Sequence, residues 1–124
     1  MKNLSFLFLY LLLSPVANAQ PANLIKSFEA IQHVGEYAVV CGVIASTSYR
    51  KNSKGSPTYL NFDKPYPDQD FSAVVFGDDR KNFEVKPETL ANQEACVVGL
   101  VKAYKGKAQM VLVEGIQLKV RPPE

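Results

Sequence analysis

The chain has 124 residues, with 14 lysines and arginines against 12 aspartates and glutamates, so its formal net charge is only +2. This balance excludes a molecule that attracts polyanions through its overall charge, and any attraction to nucleic acid must come from local clusters of cations. The length fits one domain. With one histidine and two cysteines, the chain is one ligand short of a closed structural zinc site.

Residues 1–19 have the features of a secretory signal peptide. Lys2 precedes the apolar run Phe6–Leu13, and Ala17–Ala19 has the small-residue pattern of a cleavage site. The run is too short for a membrane-spanning helix, which needs about 18 or more apolar residues. We therefore expect cleavage after Ala19, export to the periplasm or the extracellular space, and no membrane insertion of the cleaved protein.

Residues 20–34 are predicted to form an N-terminal helix. Pro21 suits the first turn of a helix, and apolar residues follow it at helical spacing. These residues are Leu24, Ile25, Phe28 and Ile31. The helix is expected to end near His33, for which we expect no special role.

Five strands are predicted between residues 35 and 120, each rich in apolar and β-branched residues. They are Glu36–Thr47, Thr58–Phe62, Phe71–Phe76, Ala95–Ala103 and Ala108–Glu114, the last continued irregularly by residues 115–120. A short helix, interrupted near Pro87, is expected between the third and fourth strands. Gly42 and Gly99 lie within the first and fourth strands, where they allow the bulges or bends that close a sheet into a barrel. Residues 121–124 are expected to form a frayed tail.

This order of elements predicts a mainly β fold, the five-stranded Greek-key barrel called the OB-fold. A β-sandwich is the structural alternative, but it usually has more strands. In an OB-fold barrel the first and fourth strands are antiparallel neighbours, so paired residues lie about 4.5–5.5 Å apart at Cα, which suits a disulfide. Cys41 and Cys96 lie on these two strands. We therefore expect them to form a disulfide in an oxidising compartment.

Three segments of the chain carry a family resemblance: HVGEYAVVCGVI (33–44), PTYLNFDKPYPDQDFSAVVFGDD (57–79) and CVVGLVKAYKGKAQMVL (96–112). They resemble a group of small bacterial OB-fold domains that occur behind a signal peptide or attached to other modules. These domains are related to nucleic-acid-binding OB-folds. The resemblance implies the fold, but the ligand must be argued from the site, because OB-folds serve many functions.

The candidate site lies where OB-folds bind ligands, across strands two and three, between the loop joining strands one and two and the loop joining strands four and five. The candidate residues are Tyr49, Arg50, Lys51, Lys54, Tyr59, Asn61, Lys64, Tyr104, Lys105 and Lys107. Cations bind phosphates and tyrosine rings stack on bases. We therefore predict that this face binds single-stranded nucleic acid or a similar polyanion. Asp63, Asp68 and Asp70 lie near the same sheet and count against the prediction, although their spacing does not match a calcium-binding loop.

Catalysis is not predicted. Staphylococcal-type secreted nucleases are built on the same barrel, but they need paired arginines around a calcium-binding carboxylate cluster, with an Asp-Thr-x-Glu pattern that is absent from this sequence. We expect a monomeric binding protein that is not an enzyme and has neither cofactor nor metal. The alternative is a structural module of the cell envelope, or one that binds a protein or a glycan through the same face.

Overall fold

The structure, a computed structural model, describes residues 23–122. The predicted signal peptide and the last two residues of the predicted tail lie outside this range. The strands are β1 (Asn23–Lys26), β2 (Tyr37–Tyr49), β3 (Thr58–Phe62), β4 (Phe71–Val75), β5 (Glu94–Tyr104), β6 (Lys107–Val111) and β7 (Leu118–Val120). Four 3₁₀ helices complete the described part: η1 (Ser27–His33), η2 (Gly77–Asn82), η3 (Pro87–Leu90) and η4 (Gly115–Gln117). Among these residues, no helix is long and apolar enough to cross a bilayer.

Strands β2 to β6 are the five predicted strands, and they close into a barrel. β2 pairs with β3 and β5, β3 pairs with β4, and β6 pairs with β4 and β5. All of these pairings are antiparallel except β4 with β6. This is the strand order of an OB-fold, so the predicted fold class is confirmed, and closure of the sheet excludes the β-sandwich.

Strand β2 belongs to both halves of the barrel. Residues 37–43 pair with β5, and the strand pairs with β3 from Ile44 onward. The register shifts between Ile44 and Ser46, which leaves Ala45 as an extra residue without a partner on β3. A bulge of this kind bends the strand, and here it lies where β2 leaves one neighbour for the other.

Gly42 is not the site of that bulge, because it is regularly paired with Ala95 of β5. Its missing side chain instead leaves space for the carboxylate of Asp63, whose oxygens would lie 2.6 Å from a Cβ at position 42. The same carboxylate accepts hydrogen bonds from the Val43 backbone N–H and from the Ser27 hydroxyl. Because Gly42 has no side chain, Asp63 can hydrogen-bond to both β2 and η1 and so link them to the end of β3.

The interior of the barrel is filled by alternate residues of its strands. Leu60 and Phe62 of β3 are fully buried. The ring of Phe62 packs edge-on against Phe71, with 5.4 Å between ring centroids. All five residues of β4 are buried. The inward side of β3 is thus fixed, and its alternate residues must face outward.

The predicted N-terminal helix is only partly confirmed. Its residues 20–22 lie outside the described range, residues 23–26 form β1, which runs parallel to β2, and only η1 is helical, ending at His33 as predicted. Of the four apolar residues that predicted the helix, only Ile25 is buried, whereas Leu24 is 71% exposed and Phe28 is 61% exposed. Alternate residues of a strand point to opposite faces, so Ile25, paired with Val40, faces the core while Leu24 faces solvent.

The helical segment between the third and fourth predicted strands consists of η2 and η3. Pro87 stands in the first turn of η3, so it begins a helix rather than interrupting one, in keeping with its fixed φ and missing N–H. Residues 115–120, predicted to continue the last barrel strand, instead form η4 and β7. Strand β7 pairs with β5 outside the barrel.

Cys41 and Cys96 occupy paired positions on β2 and β5 and form the predicted disulfide. Their Cα atoms are 4.0 Å apart, and 55 positions separate the two residues in the sequence. In the chain-entropy description, a loop of that length stabilises the fold by about 4 kcal/mol. The disulfide links β2 covalently to β5.

Candidate nucleic-acid interface

A cleft of 830 Å³ lies between the loop that joins β2 to β3 and the turn that joins β5 to β6. Its floor is formed by the outward-facing residues of β2, β3, β4 and β6. A third segment, the loop that joins β3 to β4, lines the cleft through Tyr66, Pro67 and Gln69. The two segments that an OB-fold uses for ligand contact therefore meet at one depression of the surface.

Seven of the ten predicted site residues line this cleft. They are Arg50, Lys54, Tyr59, Asn61, Tyr104, Lys105 and Lys107. The β2–β3 loop supplies the first two and β3 the next two, while Tyr104 ends β5, Lys105 lies in the β5–β6 turn and Lys107 begins β6. These residues are distant in the sequence, and the barrel topology brings them together.

Asn61 is part of the floor, but its side chain is not free. It is only 2% exposed, and its Nδ2 donates to Ser46 Oγ at 2.9 Å. Its Oδ1 accepts a hydrogen bond from Ser72 Oγ at 2.7 Å. Asn61 therefore faces the cleft as predicted, but it mainly organises the polar residues around it.

Tyr49 does not line the cleft. Its ring lies under the guanidinium of Arg80, with 3.7 Å from the guanidinium carbon to the ring centroid. Ser48 and Arg50, the residues on either side of Tyr49, both line the cleft. Since successive residues of a strand point to opposite faces, Tyr49 must face away from the cleft.

Two predicted lysines and the three nearby aspartates also lie outside the cleft. Lys51 is exposed in the β2–β3 loop, and Lys64 forms an ion pair with Asp70 at 3.3 Å. Asp63 is turned toward the Gly42 region, and Asp68 is exposed. The carboxylates that counted against an anion-binding face are therefore absent from the lining.

The sequence pattern does not predict the contribution of the β3–β4 loop, which it indicates only as a turn. Tyr66 is 66% exposed, and its backbone N–H donates to Ser46 Oγ at 3.2 Å. On the opposite side of the cleft, Lys107 Nζ donates to the carbonyl oxygen of Pro67. The loop is thus attached to both β2 and β6. In the sequence, only the position of Tyr66 between Pro65 and Pro67 indicates that this loop could contribute to the site.

Four cations and three tyrosines line the cleft, and no aspartate or glutamate of the described residues does so. The cations are Arg50, Lys54, Lys105 and Lys107, and the tyrosines are Tyr59, Tyr66 and Tyr104. Lys105 Nζ lies 5.3 Å from the ring centroid of Tyr104. The four positive charges of the lining exceed the net charge of +2 on the whole chain. Positive charge is therefore concentrated in the cleft.

A second cleft, of 520 Å³, lies beside the disulfide. It is lined by side chains of both signs, including Asp63, Glu94 and Lys119, so it lacks the uniform charge of the first cleft. Within residues 23–122, no group of three or more His, Cys, Asp or Glu side chains is placed to hold a metal ion.

No protein-family model matches the chain, and no curated protein matches its sequence. Among solved structures, the chain is similar to OBody AM1L10 bound to hen egg-white lysozyme, with a TM-score of 0.59 and 17% identity over 86% of this chain and 100% of the OBody. It is also similar to a putative aspartyl-tRNA synthetase from Leishmania major Friedlin, with a TM-score of 0.48 and 12% identity over 96% of this chain. The aspartyl-tRNA synthetase from Entamoeba histolytica gives a TM-score of 0.49 and 13% identity over 89% of this chain. The chain spans only 26% of each synthetase. At these identities the similarity concerns the fold alone.

Proposed function

We propose that the protein binds single-stranded nucleic acid, or a polyanion of similar charge spacing, in the cleft, and that it does so without catalysing a reaction. The observation that carries this proposal is the lining of four cations and three tyrosines with no carboxylate among the described residues. Single-strand binding needs this combination, because cations neutralise the phosphates and ring faces stack on the bases.

The arrangement of these side chains suggests how a strand would lie. Arg50 and Lys54 belong to one loop, and on the other side Lys105 lies in the β5–β6 turn and Lys107 at the start of β6. Phosphates can therefore be bound at both sides while the bases lie over the floor and the tyrosine rings. A duplex keeps its bases stacked inside, so we expect preference for single strands.

We also propose that the protein is exported and that its binding site acts outside the cytoplasm. The signal-peptide pattern of residues 1–19 supports this, as does the disulfide between Cys41 and Cys96, since disulfides persist in oxidising compartments. The expected product begins at Gln20, which the mass of the protein recovered from an exporting host measures directly. Recovery with residues 1–19 still attached would contradict export by this route.

Charge removal in the cleft tests the binding proposal. The variant K54Q/K105Q keeps a polar side chain at both positions but removes two of the four cleft cations. We expect it to bind a single-stranded oligonucleotide about tenfold more weakly than wild type at low salt. The slope of log affinity against log salt should fall from about −3 to about −1.5, because each phosphate contact on a single strand contributes about −0.7.

The matched control is K51Q/K81Q. Lys51 shares a loop with Lys54 but does not line the cleft, and Lys81 is an exposed residue of η2. This variant has the same net charge as K54Q/K105Q, so its affinity should stay within about twofold of wild type if the cleft binds the strand. Equal losses in the two variants would show that binding depends on overall charge, and would contradict the proposal.

A second candidate function is recognition of a protein or a glycan through the same cleft. It is favoured by the OBody, a protein of the same fold that is bound to lysozyme, and by the exposed tyrosine Tyr66. A ligand held mainly by tyrosines would bind with little dependence on salt, whereas phosphate contacts weaken steeply as salt rises. The salt slope described above therefore distinguishes the two functions.

A further inference from the structure

A row of neutral polar side chains crosses the floor of the cleft. The strand register places Ser46 opposite Asn61, Asn61 opposite Ser72, and Ser72 opposite Gln109. Paired residues on neighbouring strands point to the same face of a sheet, and all four line the cleft. We call these four residues the floor row. Because it carries no charge and lies between the basic segments, it is placed to contact bases rather than phosphates.

A series of hydrogen bonds starts at Gln69, beside the floor row, and runs in one direction through three of its members to Ser46. Gln69 Nε2 donates to Ser72 Oγ at 3.3 Å, and Ser72 Oγ donates to Asn61 Oδ1 at 2.7 Å. Asn61 Nδ2 in turn donates to Ser46 Oγ at 2.9 Å. Every donor in this series points toward Ser46. Donors in such a chain polarise one another, which strengthens the last one.

Ser46 is the end of the series, and its remaining hydrogen-bonding capacity is a single proton. Its oxygen accepts from Asn61 Nδ2 and from the backbone N–H of Tyr66. A hydroxyl has two acceptor sites and one donor proton, so both acceptor sites are occupied. The backbone amide of Tyr66 can only donate, which fixes Ser46 as its acceptor. The hydroxyl proton has no acceptor among the residues that the structure describes, and Ser46 lines the cleft.

We propose that Ser46 is a base-reading residue, which donates a hydrogen bond to a carbonyl oxygen of a base held in the cleft; this inference rests on the proposed function. Thymine, uracil, cytosine and guanine each carry a carbonyl oxygen, and adenine carries none. The protein therefore binds single strands rich in carbonyl-bearing bases more tightly than strands of adenine. The exposed ring of Tyr66, whose backbone is bonded to Ser46, offers a stacking surface beside this donor.

The test compares two purines that differ at the carbonyl position. Two single strands of about twelve nucleotides carry either hypoxanthine or adenine at four central positions, and all other positions are abasic. Their phosphates are the same and their rings are similar in size, so salt-dependent contacts and stacking are matched. The full-length protein is expected to bind the hypoxanthine strand about fivefold more tightly, the factor that one net hydrogen bond provides.

Three variants assign the preference to the hydroxyl. S46A should bind the two strands equally, S46T should keep the preference because it keeps a hydroxyl, and S48A should keep it because Ser48 lies outside the floor row. S46T remains informative if S46A fails to fold after Asn61 and Tyr66 lose their acceptor. Equal binding of the two strands by the wild type would overturn this inference while leaving the proposed function intact. Failure of the wild type to bind either strand would overturn the proposed function itself.

Discussion

Two arginines that are hard to distinguish in the sequence have different environments. Arg50 follows β2 and lines the cleft, and its guanidinium has no hydrogen-bond partner within residues 23–122. Arg80 lies over Tyr49, donates to Thr58 Oγ1 at 2.6 Å, and donates to both carboxylate oxygens of Glu88 at 2.9 Å. Its side chain is only 17% exposed. Arg80 therefore joins η2 to β3 and η3, while Arg50 is available to a ligand.

Alanine substitutions of these arginines should have opposite effects. R80A leaves the carboxylate of Glu88 partly buried and unpaired, so we expect the free energy of unfolding to fall by about 2 kcal/mol, with oligonucleotide affinity unchanged under conditions where the variant is folded. R50A should weaken oligonucleotide binding severalfold and leave the free energy of unfolding within about 0.5 kcal/mol of wild type. Urea titration and fluorescence anisotropy measure the two quantities. A loss of affinity in R80A equal to that in R50A would show that the cleft is not the binding surface.

At this scale, the sequence predicts which kinds of residue form the site but not the direction of every side chain. Tyr49 and Arg50 are neighbours in a basic, aromatic stretch, so composition indicates both. The structure extends β2 to Tyr49, beyond the predicted end at Thr47. Since successive residues of a strand point to opposite faces, Tyr49 then faces away from the cleft and Arg50 does not. Extending the strand by two residues therefore decides which of the two contacts the ligand.

At the scale of elements, the sequence pattern and the structure disagree in the N-terminal segment. Spacing of apolar residues indicates a helix, yet pairing with β2 makes residues 23–26 a strand. Helical spacing and strand alternation predict different buried residues, and the buried Ile25 beside the exposed Leu24 fits the strand. The sequence cannot decide this by itself, because the free edge of β2 that receives β1 exists only after the barrel has formed.

Truncation of these two adjacent residues tests the assignment. I25A removes a buried side chain from the core and should lower the free energy of unfolding by about 2–4 kcal/mol. L24A removes an exposed side chain and should change it by less than about 0.5 kcal/mol. Urea unfolding of both variants measures the difference. Similar losses in the two variants would mean that both side chains are buried, as they would be on the apolar face of a helix.

At the scale of the whole molecule, topology could be predicted because several independent features agree. Five strands, a helical segment after the third strand, and two cysteines on the first and fourth strands all fit the same barrel, and the disulfide is present. That barrel also brings the two basic segments to one cleft. The part played by the β3–β4 loop was not predictable, since it depends on bonds from Tyr66 and Pro67 to residues distant in the sequence.

The most direct measurement is a map of backbone amide NMR shifts during titration of the protein with a single-stranded oligonucleotide at low salt. The proposed function predicts that the largest changes occur in the β2–β3 loop, in the β3–β4 loop and around Lys105, and that they reverse when salt is added. Amides around Lys119 and the disulfide should not change. Shifts centred on the disulfide side, or no shifts at all, would contradict nucleic-acid binding in this cleft.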